Sequence, residues 1–104
     1  MMDYEEIKAA IIAELKEAIR NLHGCESDYL ETVVVKEVFG GQAVWVGEVE
    51  VFNLRGHPKA KRAYAWKHET DKGHRYVAVL ELPPIDSPQK AVRAAIVEEV
   101  KKKR

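Results

Sequence analysis

Apolar residues recur along this chain with two periods. In the first stretch they fall at Ile7, Ile11, Leu15, Ala18 and Leu22, with Ile12 and Ile19 alongside, while Glu5, Lys8, Glu17 and Arg20 keep the opposite side polar. A spacing of three and four puts the first set on one stripe, which predicts an amphipathic helix. Its ends are marked. Asp3 followed by Glu6 has capping-box spacing, and Gly24 offers the left-handed residue that closes a helix, with His23 in the last turn.

From Tyr29 onward the period shortens to two. YLETVVVKEVF over residues 29–39 is strongly β-branched, and Gly40-Gly41 tolerates the positive φ of a tight turn before QAVWVGEVEVFNL at 42–54. A hairpin follows, with Val38 opposite Ala43, Lys36 opposite Trp45, Val34 opposite Gly47 and Thr32 opposite Val49. Alternation then gathers Leu30, Val34, Val38, Trp45, Val49 and Val51 on one face, the expected core. Glu31, Val33, Val35, Glu37, Val44, Val46, Glu48 and Glu50 fall on the other.

A second hairpin is centred on Thr70-Asp71-Lys72-Gly73, read as a three-residue loop with glycine in the left-handed position. This register sets Glu69 against Arg75 and Trp66 against Ala78. Tyr64, Trp66, His68, Tyr76, Ala78 and Leu80 then share the core face, and Ala63, Ala65, Lys67, Glu69, Arg75, Val77, Val79 and Glu81 lie opposite. Pro83-Pro84 ends the last strand. Ser87 and Pro88 then open a second helix, with its stripe at Val92, Ala95, Ile96 and Val100, small Ala91 and Ala94 beside it, and a basic tail at Lys101-Lys102-Lys103-Arg104.

The element order is α-β-β-β-β-α. It predicts an α+β fold, a four-stranded antiparallel meander sheet with both helices packed on one face. Consecutive strands without intervening helices cannot form βαβ units, which excludes a Rossmann-like arrangement. The order is similar in outline to the double-stranded RNA-binding domain, but an extra strand is present and only Lys90 and Arg93 are basic near the start of the second helix. Membership of that family is not implied.

At 104 residues, one domain over 1–104 is expected. Seventeen basic residues balance seventeen acidic ones, so no global field recruits nucleic acid or anionic membrane, and any such binding must come from a local patch. The single Cys25 excludes an internal disulfide and fits a reducing cytoplasm. No apolar run is long enough to span a bilayer, and the acidic start lacks the basic region of a secretory signal. The expectation is a soluble cytoplasmic protein with no membrane association.

Candidate chemistry is sparse. RGHPKAKR at 55–62 is basic without an acid, so Arg55, His57, Lys59, Lys61 and Arg62 are candidate anion-binding residues for phosphate, carboxylate or nucleic acid. No phosphate-cradling glycine motif accompanies them. The aromatic row Tyr64, Trp66, His68 and Tyr76 has the composition of a base-stacking platform, but on an amphipathic sheet such a row is core. His23, His57, His68 and His74 lack metal-ligand spacing, and Cys25 beside Glu26 sits where a thiol pKa rises. Neither a metal, a cofactor nor a catalytic grouping is expected, and the reading leans away from an enzyme.

The remaining feature is an apolar strip of Val33, Val35, Val44, Val46, Val77 and Val79 on the second sheet face, bordered by Glu31, Glu37, Glu48, Lys67, Glu69 and Arg75. Apolar centre and charged rim match a protein interface. The expectation is a non-enzymatic interaction module forming a homodimer through this face. Anion or nucleic-acid binding, or a small enzyme, through loop 55–62 is the alternative.

Overall fold

The structure, a computed structural model, describes residues 3–102; Lys103 and Arg104 of the basic tail lie outside the described residues. Among the described residues the order is α1 (Tyr4–His23), β1 (Glu26–Phe39), β2 (Gln42–Arg55), β3 (Arg62–Thr70), β4 (Gly73–Leu80) and α2 (Pro88–Lys102). The strands form one antiparallel sheet in sequence order, giving the α+β fold expected. The caps are those the residues dictate. Asp3 Oδ1 accepts the Glu6 amide, Gly24 sits at φ 69 and donates to Arg20 O, and Ser87 Oγ accepts the Lys90 amide.

The helices divide between the two faces of the sheet, a correction to the single covered face. Val35, Val49, Val51, Tyr64 and Trp66 pack with Ala91 and Val92 of α2, while Phe52, Ala63 and Ala65 pack with Leu15 and Ile19 of α1. Tyr64 and Trp66 alternate with Ala63 and Ala65 along β3, so the two clusters lie on opposite sides. The sheet is the middle of three layers.

Two single-residue slips explain the difference. The first turn is as expected, with Phe39 opposite Gln42, Val38 opposite Ala43, and both Gly40 and Gly41 at positive φ. A β-bulge then leaves Val44 without a partner, so Glu37 faces Trp45, Val35 faces Gly47 and Val33 faces Val49. In the second hairpin the turn is two residues long, pairing Thr70 with Gly73 and Trp66 with Val77. Each slip reverses one strand relative to its neighbour. Trp45, Val49, Val51, Tyr64 and Trp66 are core as expected, but their strand neighbours are Val33, Val35, Val77 and Val79. Leu30, Val34 and Val38 are exposed instead, and Tyr76, Ala78 and Leu80 turn toward α1.

The supposed interface strip is therefore not an open face. Val35 is 2% exposed and Val33, Val77 and Val79 are half-buried against the core under α2, whereas Val44 and Val46 remain exposed. On α1, Ile7 and Leu22 of the expected stripe are exposed, because the buried side is rotated toward Lys8, Ile12 and Ile19. The rotation brings Lys8 Nζ to Glu50 at 2.7 Å and Glu48 at 2.9 Å, where Glu50, 3% exposed, also accepts from Thr32 Oγ1 at 2.5 Å. These bonds pin α1 to β2.

Candidate functional site

Beta strands 2 and 3 are paired only over Glu50–Asn53 and Arg62–Ala65. Toward the turns, the β1–β2 hairpin runs on as a two-stranded arm. Trp45 of the arm meets Trp66 of β3 edge to face, ring centroids 5.7 Å apart, and α2 lies over the pair. A radius of gyration of 13.9 Å, against about 13 Å for a compact domain of this length, reflects an extended outline.

The far part of the arm exposes apolar side chains on both faces. On the α1 side stand Val34, opposite the Glu48 to which Tyr4 Oη donates, and then Val38 and Val46, with Lys36 opposite Val46; Val34 is 72% exposed. On the α2 side the bulge turns Val44 toward the helix. There, Phe39, Val44, Ile96, Val97 and Val100 line a groove of about 670 Å³, with Glu37, Arg93 and Lys101 at its rim. Phe39 is 80% exposed at its mouth. Glu37 accepts from Arg93 Nε at 2.7 Å and from Gln89, and its carboxyl is held below the ordinary glutamate range chiefly by the Arg93 bond. That ion pair fixes α2 against the arm.

Phe39 and Val97 were not singled out in the sequence. The available signal was position. A large aromatic residue flanking a Gly-Gly turn sits at the end of a hairpin, the part of a sheet hardest to cover.

Loop 55–62 is built as a turn. His57 Nδ1 accepts the amides of Lys59 at 3.1 Å and Ala60 at 2.8 Å, Lys61 O accepts from Leu54 N, and Arg62 O accepts from Glu81 N. Adjacent backbone N–H groups are what a loop offers an anion, and here those two face an imidazole nitrogen. Arg55 is held by Asp28 through Nε at 2.8 Å and Nη2 at 3.2 Å. Lys59, Lys61 and Arg62 are exposed. Of the candidate residues, Arg55 is thus paired with a carboxylate, His57 shapes the turn, and Lys59, Lys61 and Arg62 stand toward solvent.

Several other titratable groups have structural partners. Tyr64 Oη donates to Glu81 and Tyr76 Oη to Glu14; burial and the Glu81 bond push Tyr64 up, and the Glu14 bond and burial push Tyr76 up. Lys8 is raised because its bonds to Glu50 and Glu48 outweigh the opposing effect of burial. Cys25 is buried and its thiol is pushed up by desolvation and by Glu26, the reverse of nucleophile activation. Among the described residues, no group of three His, Cys, Asp or Glu side chains is placed to hold a metal ion, and no helix is long and apolar enough to cross a membrane.

Three carboxyls carry a pH dependence. Glu26, Glu37 and Glu48 are all lowered, first by bonds from Arg20, Arg93 and Lys8 respectively. A carboxyl lowered on folding contributes stability that is present above its unfolded value, about 4.3, and is lost as pH falls through the folded one. The urea midpoint should hold near neutrality and drop progressively in acid below about pH 4.3. A midpoint rising on acidification would contradict these pairings.

No protein-family model, curated protein or solved structure matches the chain.

Proposed function

We propose that this chain is a non-enzymatic protein-interaction module that self-associates through the arm formed by β1 and β2. The observation that carries the reading is the exposure of apolar side chains on both faces of one two-stranded arm, Val34, Val38 and Val46 on one side and Phe39 and Val44 on the other. A two-stranded hairpin is marginal by itself, and large contiguous apolar exposure on a monomer marks an interaction surface. The arm carries both a projecting ring, Phe39, and an apolar groove beside it. A projection and a recess on the same patch are what a two-fold dimer requires, since each copy must offer and receive.

Because Val33, Val35, Val77 and Val79 pack under α2, this reading rests on the arm and not on the sheet face. Val44 and Val46 stay within it. The positions of the ion pairs and raised tyrosines supply reasons of structure, not of catalysis, for the charged groups.

Sedimentation velocity tests the reading. The unmodified chain should sediment as a dimer at high micromolar concentration, and Phe39→Asp combined with Val46→Lys should give a monomer with an unchanged circular dichroism spectrum, since both positions are exposed. A monomeric unmodified chain at that concentration would sink self-association. A dimer indifferent to both substitutions would remove the arm from the interface.

A further inference from the structure

We propose that the outer edge of β4 takes up an extended segment of another protein as a fifth strand. This is a second surface, independent of the arm. A groove of about 680 Å³ is lined by Tyr76 and Ala78, which face α1, and also by Val77 and Val79, which face α2. Side chains of both faces of one strand can meet a single groove only where it wraps the strand's free edge. Ala94 and Ala95 form its wall on α2, and Leu22 closes it on the α1 side.

The backbone of that edge is directed outward at alternate residues. Glu81 N bonds inward to Arg62 O, while Ala78 O is turned the other way and meets His23 Nε2 at 2.9 Å. Alternation in an antiparallel ladder then turns the amides and carbonyls of Tyr76 and Ala78 away from β3. Ala78 O keeps a second lone pair beside His23, so an incoming amide can share it. Main-chain bonds to an exposed edge and pockets for alternate side chains are the two parts of recognition by strand addition.

Charge selects the occupant. Glu14 of α1 and Glu98 of α2 flank the edge, while Glu17 is paired with Arg20 and the two arginines of the groove, Arg75 and Arg93, are engaged by Glu99 at 2.5 Å and Glu37 at 2.7 Å. A segment with apolar residues at alternate positions and Lys or Arg at its ends complements these flanks. A second copy does not. β4 paired with its own copy would bring two sets of the acidic flanks Glu14 and Glu98 together.

Selection of a phage-displayed library of random peptides on the full chain tests this. The enriched peptides should alternate apolar residues and carry Lys or Arg, and binding should slow hydrogen exchange at the Tyr76 and Ala78 amides. Ala78→Pro deletes an outward amide while sparing the bonds to β3, and should weaken binding about tenfold, the loss of one backbone bond. Ala94→Arg fills the half-buried α2 wall and should do the same, keeping the test decisive if the proline variant fails to fold. The proposal falls if no peptide is enriched, or if the enriched peptides tolerate Ala94→Arg. It falls too if they are lost on Phe39→Asp instead, which would assign them to the arm. Loss of dimerisation by the arm variants leaves this outcome untouched, so the two readings fail separately.

Discussion

Replacing Trp66 by alanine should cost about 3–5 kcal/mol, a large share of the roughly 5–15 kcal/mol that holds a domain of this size together. Trp66 is 3% exposed, its ring set edge to face against Trp45 and its strand neighbours Val49, Val51 and Val77 gathered under α2. Truncation opens a cavity where two hairpins and a helix meet. The urea midpoint reports the loss. A cost below about 1 kcal/mol would contradict the packing. The same measurement on two neighbours separates the two registers. Val35→Ala, at 2% exposure, should destabilise, whereas Val34→Ala, at 72%, should stay within about 0.5 kcal/mol. The unbulged register demands the opposite ranking.

The second large effect is electrostatic. Lys8→Ala should cost about 3–5 kcal/mol, because it leaves the Glu50 carboxylate buried with only Thr32 as a hydrogen-bond donor in place of an ammonium at 2.7 Å. Removing one member of a buried pair is far more damaging than removing both, since the uncompensated charge carries the penalty. Lys8→Met with Glu50→Gln should therefore recover more than half of the loss in the same melts. A double variant as unstable as the single one would contradict the stranded Glu50 charge as the source of the loss. Glu48, 43% exposed as a side chain, shares the ammonium at 2.9 Å but is solvated enough to tolerate its loss.

Much of the charge on this chain serves its architecture. Arg20, Arg55, Arg75 and Arg93 each meet a carboxylate within 2.5–2.8 Å, and each pair joins elements or strand ends. Arg93 to Glu37 ties α2 to β1, and Arg75 to Glu99 ties it to β4. Along the sequence these residues are scattered single charges indistinguishable from a solvated face. Only the folded chain reveals that Arg20, Arg75 and Arg93 brace the helices and that Arg55 joins the ends of β1 and β2. The candidate arm had a comparable fate. Val44 and Val46 were visible as apolar residues on a strand, but their exposure depends on how far α1 and α2 reach along the hairpin, and no local pattern encodes that.

Local rules were enough for whatever depends on neighbours in sequence. Asp3, Gly24, Ser87 and Pro88 set the helix ends through backbone groups a few residues away, Gly40-Gly41 set the first turn, and alternation marked Trp45, Val49, Tyr64 and Trp66 as inward-facing. The order of elements and the sheet followed. What needed the tertiary structure was parity. A side-chain period of two makes the face of every strand hostage to a single residue, and both faces here are apolar enough to accept a helix: Phe52, Ala63 and Ala65 under α1, Val35, Val49 and Val51 under α2. With only one apolar face the slip would have been excluded by burial. With two, the difference between registers lies in which residues of β1 and β4 the helices cover, Val33, Val35, Val77 and Val79 under α2 and Tyr76, Ala78 and Leu80 against α1. Those contacts join residues distant in sequence, so they exist only once the chain has folded.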